Sequence, residues 1–253
     1  GLPNYCSACG VMAGFSQGGG VGLSLAHRMI EGEAERDVRA MDVSRFGSWI
    51  TPGYTRPKVI ENYQRRFSVN YPNEELPACR PFKTTPAYDI WRDQRAVFGA
   101  QYGMEVANYF ALPGDPLFEI PSFRRSNAFE ATRQEVMAVR DGVGINEVHN
   151  FGKYRITGPD ARAWLDRIMA GRIPKPGRIS LTPMLSPKGK LTGDFTVSCL
   201  SETDFRLTAS YGAQAYHMRW FLNNKPDSGV AIENTSDSLI GFQIAGPKSR
   251  ELL

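Results

Sequence analysis

The feature that most constrains the fold of this chain is a short segment that occurs twice. Residues 153–165 read KYRITGPDARAWL and residues 241–253 read GFQIAGPKSRELL, with their Gly-Pro pairs 88 positions apart. Each copy has the pattern of a strand, a Gly-Pro turn and the first turns of a helix, with proline where its missing N–H costs no hydrogen bond. The matched positions indicate a repeated unit. Together with the elements between the copies, they predict an α+β fold in which helices pack on an antiparallel sheet.

Other elements of this fold are predicted from periodicity and turn residues. We expect helices at residues 127–141, 160–170 and 213–222, and strands at residues 153–157, 205–209 and 230–233. Gly142 should end the first of these helices. The helix that follows Pro159 should bury one stripe of side chains, formed by Ala161, Trp164, Leu165 and Ile168.

Between the two copies, residues 182–197 read TPMLSPKGKLTGDFTV, which is the pattern of a β-hairpin with a type I turn at residues 186–189. The second strand should place an apolar set on one face, consisting of Phe195, Val197 and Cys199. Asp194 should open that strand on its polar face. A carboxylate held there over a cleft could be reactive, although a solvated aspartate at the end of a turn has the same pattern.

The composition is that of an ordinary globular protein. Of the 253 residues, 42% are hydrophobic and 22% are charged, and the formal net charge is +4. This charge is too small to indicate a nucleic-acid partner. No apolar run approaches the roughly 20 residues that span a membrane, so no membrane association is expected. The four cysteines are Cys6, Cys9, Cys79 and Cys199, and because no second pair completes a zinc site they should be reduced structural thiols.

The first 36 residues have the pattern of a strand, a glycine-rich loop and a helix. We predict these elements at residues 4–8, 14–22 and 23–31. The loop contains Gly18, Gly19, Gly20 and Gly22. Backbone N–H groups of such a loop, at a helix N-terminus, could bind a phosphate or a carbonyl of a flavin. Glycines that only allow a helix and a strand to pack closely would give the same pattern.

Residues 37–94 are rich in aromatic residues and proline, which indicates a connecting module. One helix is predicted there, at residues 58–67. Three arginines should be solvated or paired with the nearby acids Glu74 and Glu75, namely Arg65, Arg66 and Arg80.

Both ends of the sequence are abrupt. The chain enters its first predicted strand at once, and the helix that begins near Pro247 stops within two turns. Because so short a helix is not stable by itself in water, we expect the sequence to be an internal piece of a longer protein.

The order of several longer motifs resembles that of the dimethylglycine/sarcosine dehydrogenase family. The motifs cover essentially the whole chain and read GFSQGGGVG, AMDVSRFG, NYQRRFSVNYPNEELPACRPFKTTPAYD, AVFGAQYGMEVANYF, SFRRSNAF, EVMAVRDGVGINEVHNFGKYRITGPDA and MLSPKGKLTGDFTV. Members of that family fuse an FAD domain, a small central domain and a folate-binding domain similar to the glycine-cleavage T-protein. The resemblance implies that residues 1–36 end the FAD domain, residues 37–94 form the central domain and residues 95–253 begin the folate domain.

The resemblance also implies an activity, which is oxidative N-demethylation. In the family, FAD oxidises the N-methyl group of a small amino acid, and the one-carbon unit passes to tetrahydrofolate. Both cofactors are therefore implied, although FAD is not expected to bind this part of the chain alone. The implied partners are the N-methylated amino acid, folate and the missing parts of the same chain. A bacterial protein of this kind would be cytoplasmic, and a eukaryotic one would lie in the mitochondrial matrix.

The same resemblance implies site residues. Asp194 matches the family's aspartate after the glycine-containing turn, which orients the folate nitrogen, assists its proton transfer and stabilises the cationic intermediate. Met184 and Leu185 are the predicted apolar wall against the pterin, although a methionine at a strand end is more often plain core. The family's folate-contacting asparagine is absent, because the corresponding strand reads TASY at residues 208–211.

Other side chains give weaker indications. Arg172, Lys175 or Arg178, from a window of residues 171–193 without acids, could meet the carboxylates of the folate tail, or could form a solvated basic rim. The three histidines, His27, His149 and His217, lack partners at metal-ligand spacing, so no metal site is predicted and each should be structural.

Two other functions remain open at the level of sequence. One is a T-protein-type aminomethyltransferase, in which residues 1–94 would have no place. The other is a folate-binding module without flavin chemistry. Hydrolases and nucleotide triphosphatases are disfavoured because the sequence has no G-x-S-x-G and no Walker loop.

Overall fold

The computed structural model describes residues 5–253, which fold as two units divided between Arg45 and Phe46. The first unit contains the helix α1 (Gly14–Glu31), which ends at Gly32 in the left-handed region, with φ +80°. A single 3-10 turn, Arg39–Met41, follows it. None of the helices among the described residues is both long and apolar enough to cross a membrane.

The predicted glycine-rich loop is wrong, because Gly18, Gly19, Gly20 and Gly22 lie inside α1. A glycine in a helix interior costs only about 1 kcal/mol relative to alanine. Once a helix is nucleated, each further residue adds a backbone hydrogen bond, and this propagation carries α1 through the glycines. The strand predicted at residues 4–8 is also wrong for residues 5–8, which carry no strand, and residue 4 lies outside the described residues.

The second unit begins with the connecting module and its helix α2 (Pro52–Gln64). The sequence placed this helix at residues 58–67, six residues too late. The helix begins earlier because Thr51 caps it, accepting a hydrogen bond from the Tyr54 N–H at 3.4 Å, and because Pro52 occupies the first turn. Pro57, which lies inside α2, is the kind of residue that usually marks a helix boundary.

Arg80 links this module to the β-hairpin of residues 96–110, which follows it in the chain. Its guanidinium donates two hydrogen bonds to Glu105, at 3.0 and 2.6 Å, and one to the Phe98 carbonyl at 2.8 Å. The Glu105 side chain is only 3% exposed. The expected pairs of Arg80 with Glu75 and of Arg65 with Glu74 are confirmed. The buried pair with Glu105 was not predicted, because its partners lie 25 residues apart.

The remaining elements of the second unit alternate between strands and helices. They are α3 (Tyr88–Asp93), β1 (Ala96–Gln101), β2 (Met104–Phe110), α4 (Ala128–Asp141), β3 (Gly144–Glu147), β4 (Phe151–Thr157), α5 (Ala161–Ile168), β5 (Ile179–Leu185), β6 (Leu191–Ser201), β7 (Asp204–Ser210), α6 (Gln214–Asn224), β8 (Ala231–Asn234), β9 (Phe242–Ala245) and α7 (Ser249–Leu252). Single 3-10 turns lie at Val43–Phe46 and Tyr211–Ala213.

These strands form three antiparallel groups. Strands β5-β6-β7-β4-β8 make a five-stranded sheet in that order, β1 pairs with β2, and β3 pairs with β9. The predicted α+β class with antiparallel sheets is confirmed. The hairpin predicted at residues 182–197 is confirmed as β5 and β6, and the Gly189 N–H bonds the Ser186 carbonyl across the turn at 2.8 Å.

The core lies on one face of the five-stranded sheet, under α5 and α6. The predicted apolar face of β6 is confirmed, because Phe195, Val197 and Cys199 are at most 2% exposed. The predicted stripe of α5 is buried as well. Phe221 of α6 packs into the same cluster. The helix and sheet patterns of this part of the sequence therefore identify the core correctly.

The repeated Gly-Pro unit is confirmed in its geometry. Gly158 follows β4 with φ +127°, and Gly246 follows β9 with φ +119°. A Cβ added at Gly158 would overlap the carbonyl oxygen of Gly229, and one added at Gly246 would overlap that of Gly142. Those same carbonyls accept hydrogen bonds, each 3.0 Å long, from the N–H groups two residues after each repeat glycine.

The two copies are interlocked. Strand β8, which follows Gly229, pairs with β4 of the first copy. Strand β3, which follows Gly142, pairs with β9 of the second copy. The short strand that precedes each copy therefore pairs with the strand of the other copy.

We predict that Gly158→Ala lowers the free energy of unfolding by more than about 3 kcal/mol. The change adds left-handed backbone strain to a clash with a fixed carbonyl, and each of these effects costs about 1–3 kcal/mol. Gly177→Ala is a matched control, because Gly177 has φ +75° but open space around its Cβ position, and it should lose only about 1 kcal/mol. Urea denaturation measures both, and equal losses would contradict the prediction.

Candidate functional site

A cavity of about 400 Å³ lies between the tip of the β1–β2 hairpin and the polar face of the five-stranded sheet. The hairpin contributes Gln101 and Tyr102, and the start of β4 contributes Asn150 and Phe151. Strands β5 and β6 contribute Leu181, Asp194 and Thr196, and the end of β7 together with the 3-10 turn that follows it contributes residues 208–212. The volume is within the range of small-molecule sites, and the lining combines apolar side chains with a few polar ones.

The alternation of β6 puts Asp194 into this cavity. Phe195 and Val197 point into the core, so Asp194 and Thr196 lie on the opposite face, which the cavity occupies. Asp194 does not open the strand as predicted, because β6 begins at Leu191 and Asp194 lies within it, opposite Pro183 of β5.

The Asp194 carboxylate is exposed. Within residues 5–253 it accepts no hydrogen bond and forms no ion pair. Its oxygens are therefore available to a ligand in the cavity.

The two residues predicted to form an apolar wall against a pterin, Met184 and Leu185, lie outside the cavity lining. Met184 is fully buried in the core, on the face that also carries Phe195, and neither Met184 nor Leu185 lines the cavity. Their contact with a pterin stays a prediction. The apolar lining comes instead from Leu181 and Phe151, which sequence reasoning missed. The alternation of side chains along β5 could have identified Leu181, because Leu181 lies opposite Thr196 in the hairpin register.

The other predicted ligand contacts lie elsewhere. Arg172, Lys175 and Arg178 do not line the cavity, and their contact with a folate tail also stays a prediction. The glycines predicted to contact FAD lie in α1 of the first unit. In contrast, the strand that lacks the family's asparagine does reach the cavity through Thr208 and Ser210, and so does Tyr211, which follows it.

A hydrogen-bonded group supports one wall of the cavity. The Tyr211 hydroxyl donates to the Asp237 carboxylate at 2.7 Å, and Lys83 donates to the other oxygen of Asp237 at 3.1 Å. Burial would raise the pKa of Asp237, but the bonds from Tyr211 and Lys83 outweigh it and hold that pKa below its usual value. Burial, followed by the neighbouring carboxylate, raises the pKa of Tyr211. Tyr211 is therefore a neutral hydrogen-bond donor at neutral pH.

Two of the histidines lie inside the second unit. The Nδ1 atom of His217 lies 3.0 Å from the hydroxyl of Tyr154, and both side chains are buried in the core. His149 is 2% exposed, and its Nδ1 lies 3.2 Å from a Glu147 oxygen. Burial lowers the pKa of His149 more than Glu147 raises it. Among the described residues, no group of three or more His, Cys, Asp or Glu could hold a metal ion.

Comparison with known proteins shows the family. The sequence model described as the GCVT N-terminal domain matches residues 87–253, and the model of an FAD dependent oxidoreductase central domain matches residues 31–85. Since the first match covers well over half of the chain, this chain belongs to the family of the GCVT N-terminal domain.

Individual relatives are consistent with this assignment. The chain is 34% identical to mitochondrial dimethylglycine dehydrogenase of Homo sapiens and 28% identical to mitochondrial sarcosine dehydrogenase of the same species, in both cases over its whole length. It spans only 29% and 32% of the lengths of these relatives. Aminomethyltransferase T of the Bartonella henselae glycine cleavage system has the same fold over 68% of this chain and 43% of its own, with a TM-score of 0.54 and 18% identity.

We predict that Tyr154→Phe lowers the free energy of unfolding by about 1–3 kcal/mol. The substitution removes the hydroxyl that pairs with His217 in a buried site, and a buried polar atom that loses a partner costs about this much. Tyr63→Phe is the control, because Tyr63 is 58% exposed and should lose nothing measurable. Chemical denaturation near pH 7 measures both, and an unchanged Tyr154→Phe variant would show that the pair does not stabilise the fold.

Proposed function

We propose that this chain provides the folate side of an FAD- and tetrahydrofolate-linked oxidative N-demethylase that acts on a small N-methylated amino acid such as dimethylglycine or sarcosine. The observation that carries the proposal is the position of Asp194 in a cavity of a GCVT N-terminal domain, where its carboxylate has no hydrogen-bond partner among residues 5–253. The match of residues 31–85 to an FAD dependent oxidoreductase central domain supports the same conclusion.

FAD would supply the oxidation of the N-methyl group to an iminium. The first unit does not fit FAD by itself, since the four glycines that would approach it have their N–H groups inside α1 rather than in a loop. No step of the reaction is therefore built on those glycines. The contribution of this chain begins where the one-carbon unit meets tetrahydrofolate.

The cavity fits the ring of tetrahydrofolate in its chemistry. Phe151 and Leu181 are 42% and 73% exposed and provide apolar surface for the ring. Thr196 and Thr208 lie side by side on β6 and β7, and their hydroxyls can exchange hydrogen bonds with ring heteroatoms.

Asp194 is the catalytic residue of this proposal. As the folate nitrogen attacks the iminium carbon, a C–N bond forms, the π electron pair of the C=N bond moves to the amino-acid nitrogen, and the folate nitrogen must lose its proton. The demethylated amino acid then leaves as the bond between its nitrogen and the transferred carbon breaks. The Asp194 carboxylate accepts that proton, and its negative charge stabilises the positive charge that accompanies the transfer.

The organisation proposed for the chain follows from this function. Residues 1–36 would end an FAD domain, residues 37–94 would form the central domain and residues 95–253 would begin the folate domain. The curated relatives named above are mitochondrial. We propose the mitochondrial matrix for a eukaryotic source and the cytoplasm for a bacterial one, where the four cysteines would stay reduced.

A T-protein-type aminomethyltransferase is the second candidate, favoured by the match of residues 87–253. It leaves residues 31–85, with their own match to an oxidoreductase central domain, without a role. A folate-binding module without flavin chemistry would share the cavity but not the oxidation. Bleaching of a flavin spectrum by dimethylglycine or sarcosine, in the protein expressed from its complete gene, separates these candidates from the proposed enzyme.

We predict that Asp194→Asn reduces the folate-dependent transfer by about 10²–10⁴-fold, the range expected for loss of general acid–base catalysis. Oxidation of the amine should be unchanged, so the one-carbon unit should appear as free formaldehyde instead of methylene-tetrahydrofolate. The ratio of these products measures the effect. Asp166→Asn, on the exposed side of α5, is the control. Unchanged transfer by a folded Asp194→Asn protein would refute the assignment.

A further inference from the structure

Tyr102 occupies a backbone position that does not suit a tyrosine. It is the first residue of the two-residue turn between β1 and β2, with φ +50°, and Gly103 follows with φ +80°. Turns of this kind favour asparagine, aspartate or glycine at both positions, because a larger side chain is strained at positive φ. Strain of this sort persists where the surrounding structure enforces it, and it is concentrated in functional sites.

The surroundings of Tyr102 are built to receive its ring. A Cβ added at Gly212 would overlap the ring carbons and the hydroxyl of Tyr102, so the ring lies where only a glycine leaves room. Tyr102 nevertheless remains 48% exposed and lines the cavity that contains Asp194. The ring therefore has one side packed against the protein and one side available to a ligand.

Tyr211 is held next to it. The two ring centroids are 6.3 Å apart, with an angle of 58° between the ring planes. Tyr211 is only 5% exposed, and its hydroxyl is fixed by Asp237, which is in turn paired with Lys83. The ammonium group of Lys83 also lies 5.9 Å from the centre of the Tyr211 ring.

Lys83 is itself immobilised by backbone hydrogen bonds. Its N–H donates to the Gly103 carbonyl at 2.8 Å, and its carbonyl accepts from the Glu105 N–H at 2.9 Å. These bonds flank the same turn that carries Tyr102. Hydrogen bonds therefore connect the turn to Lys83, Lys83 to Asp237 and Asp237 to Tyr211, and this network supports the wall of the cavity.

We infer that Tyr102 is a ligand-binding residue of the cavity, which stacks on a flat heteroaromatic ring, and that Tyr211 is a positioning residue that holds it. Within the proposed function, on which this inference rests, that ring is the pterin of folate. An aromatic face is suited to this task because it attracts any flat ring system without requiring a particular hydrogen-bond pattern. The two tyrosines would thus contribute recognition next to a strand, β7, that lacks the expected asparagine.

Binding of 5-formyltetrahydrofolate to the protein expressed from its complete gene tests the inference. Tyr102→Asn removes the ring and relieves the backbone, so the protein should fold at least as well as the wild type. It should bind roughly 5- to 100-fold more weakly, the loss expected for one stacked ring. Tyr102→Phe, which keeps the ring, should bind within about twofold of the wild type. Tyr63→Asn, at an exposed tyrosine on α2, is the matched control and should bind normally.

The role of Tyr211 is tested by the absorption change that stacking produces in the bound pterin. Tyr211→Leu should diminish that change and weaken binding. Tyr211→Phe should give values between those of Tyr211→Leu and the wild type, because its ring still packs beside Tyr102 but is no longer held by Asp237. Equal affinity of wild type and Tyr102→Asn would overturn the inference alone. Failure of the wild type to bind 5-formyltetrahydrofolate would overturn the proposed function and the inference with it.

Discussion

The alternation of side chains along β6 is the constraint on which the core and the candidate site both depend. One strand supplies Phe195 and Val197 to the core and Asp194 and Thr196 to the cavity. A shift of one residue in its pairing would bury the carboxylate and expose the aromatic ring, which would cost several kcal/mol for the buried charge alone. Packing of the core therefore fixes the position of the Asp194 carboxylate, although no hydrogen bond or ion pair from the described residues holds it.

The register of β6 depends in turn on the sheet, and the sheet depends on the interlocked repeat. β4 lies between β7 and β8, so it joins the hairpin of the site to the strand that precedes the second copy. At the end of β4 the chain turns through Gly158, where the close approach of the Gly229 carbonyl leaves no room for a side chain. Glycine at position 158 thus allows β4 and the segment before β8 to approach closely, in a sheet whose opposite face lines the cavity.

Patterns confined to one element were predictable from the sequence. Periodicity gives the hairpin, the buried stripe of α5 and the repeated Gly-Pro unit, because each depends on residues close together in the chain. Glycine content gave the wrong structure for α1, because a weak local preference does not decide the conformation of a long helix.

Contacts between distant segments could not be predicted in this way. The pair of Arg80 with Glu105 and the contact of Tyr102 with Gly212 join residues whose spacing carries no periodic signal. The cavity lining shows the same limit. Asp194 was identified, but Tyr102 was not, since only the folded structure brings the hairpin turn to the sheet.

The wall behind the cavity joins the two segments that match different families. Lys83 lies in the segment matched to an oxidoreductase central domain, and Asp237 lies in the GCVT N-terminal domain. Because their ion pair is partly exposed, it contributes only about 0–1 kcal/mol to stability. Its effect is positional, since the backbone bonds that anchor Lys83 to the hairpin also fix the distance between Asp237 and the turn at Tyr102. The cavity is therefore shaped by both segments, and a change in the position of the connecting module would be transmitted to Tyr211 through two hydrogen bonds.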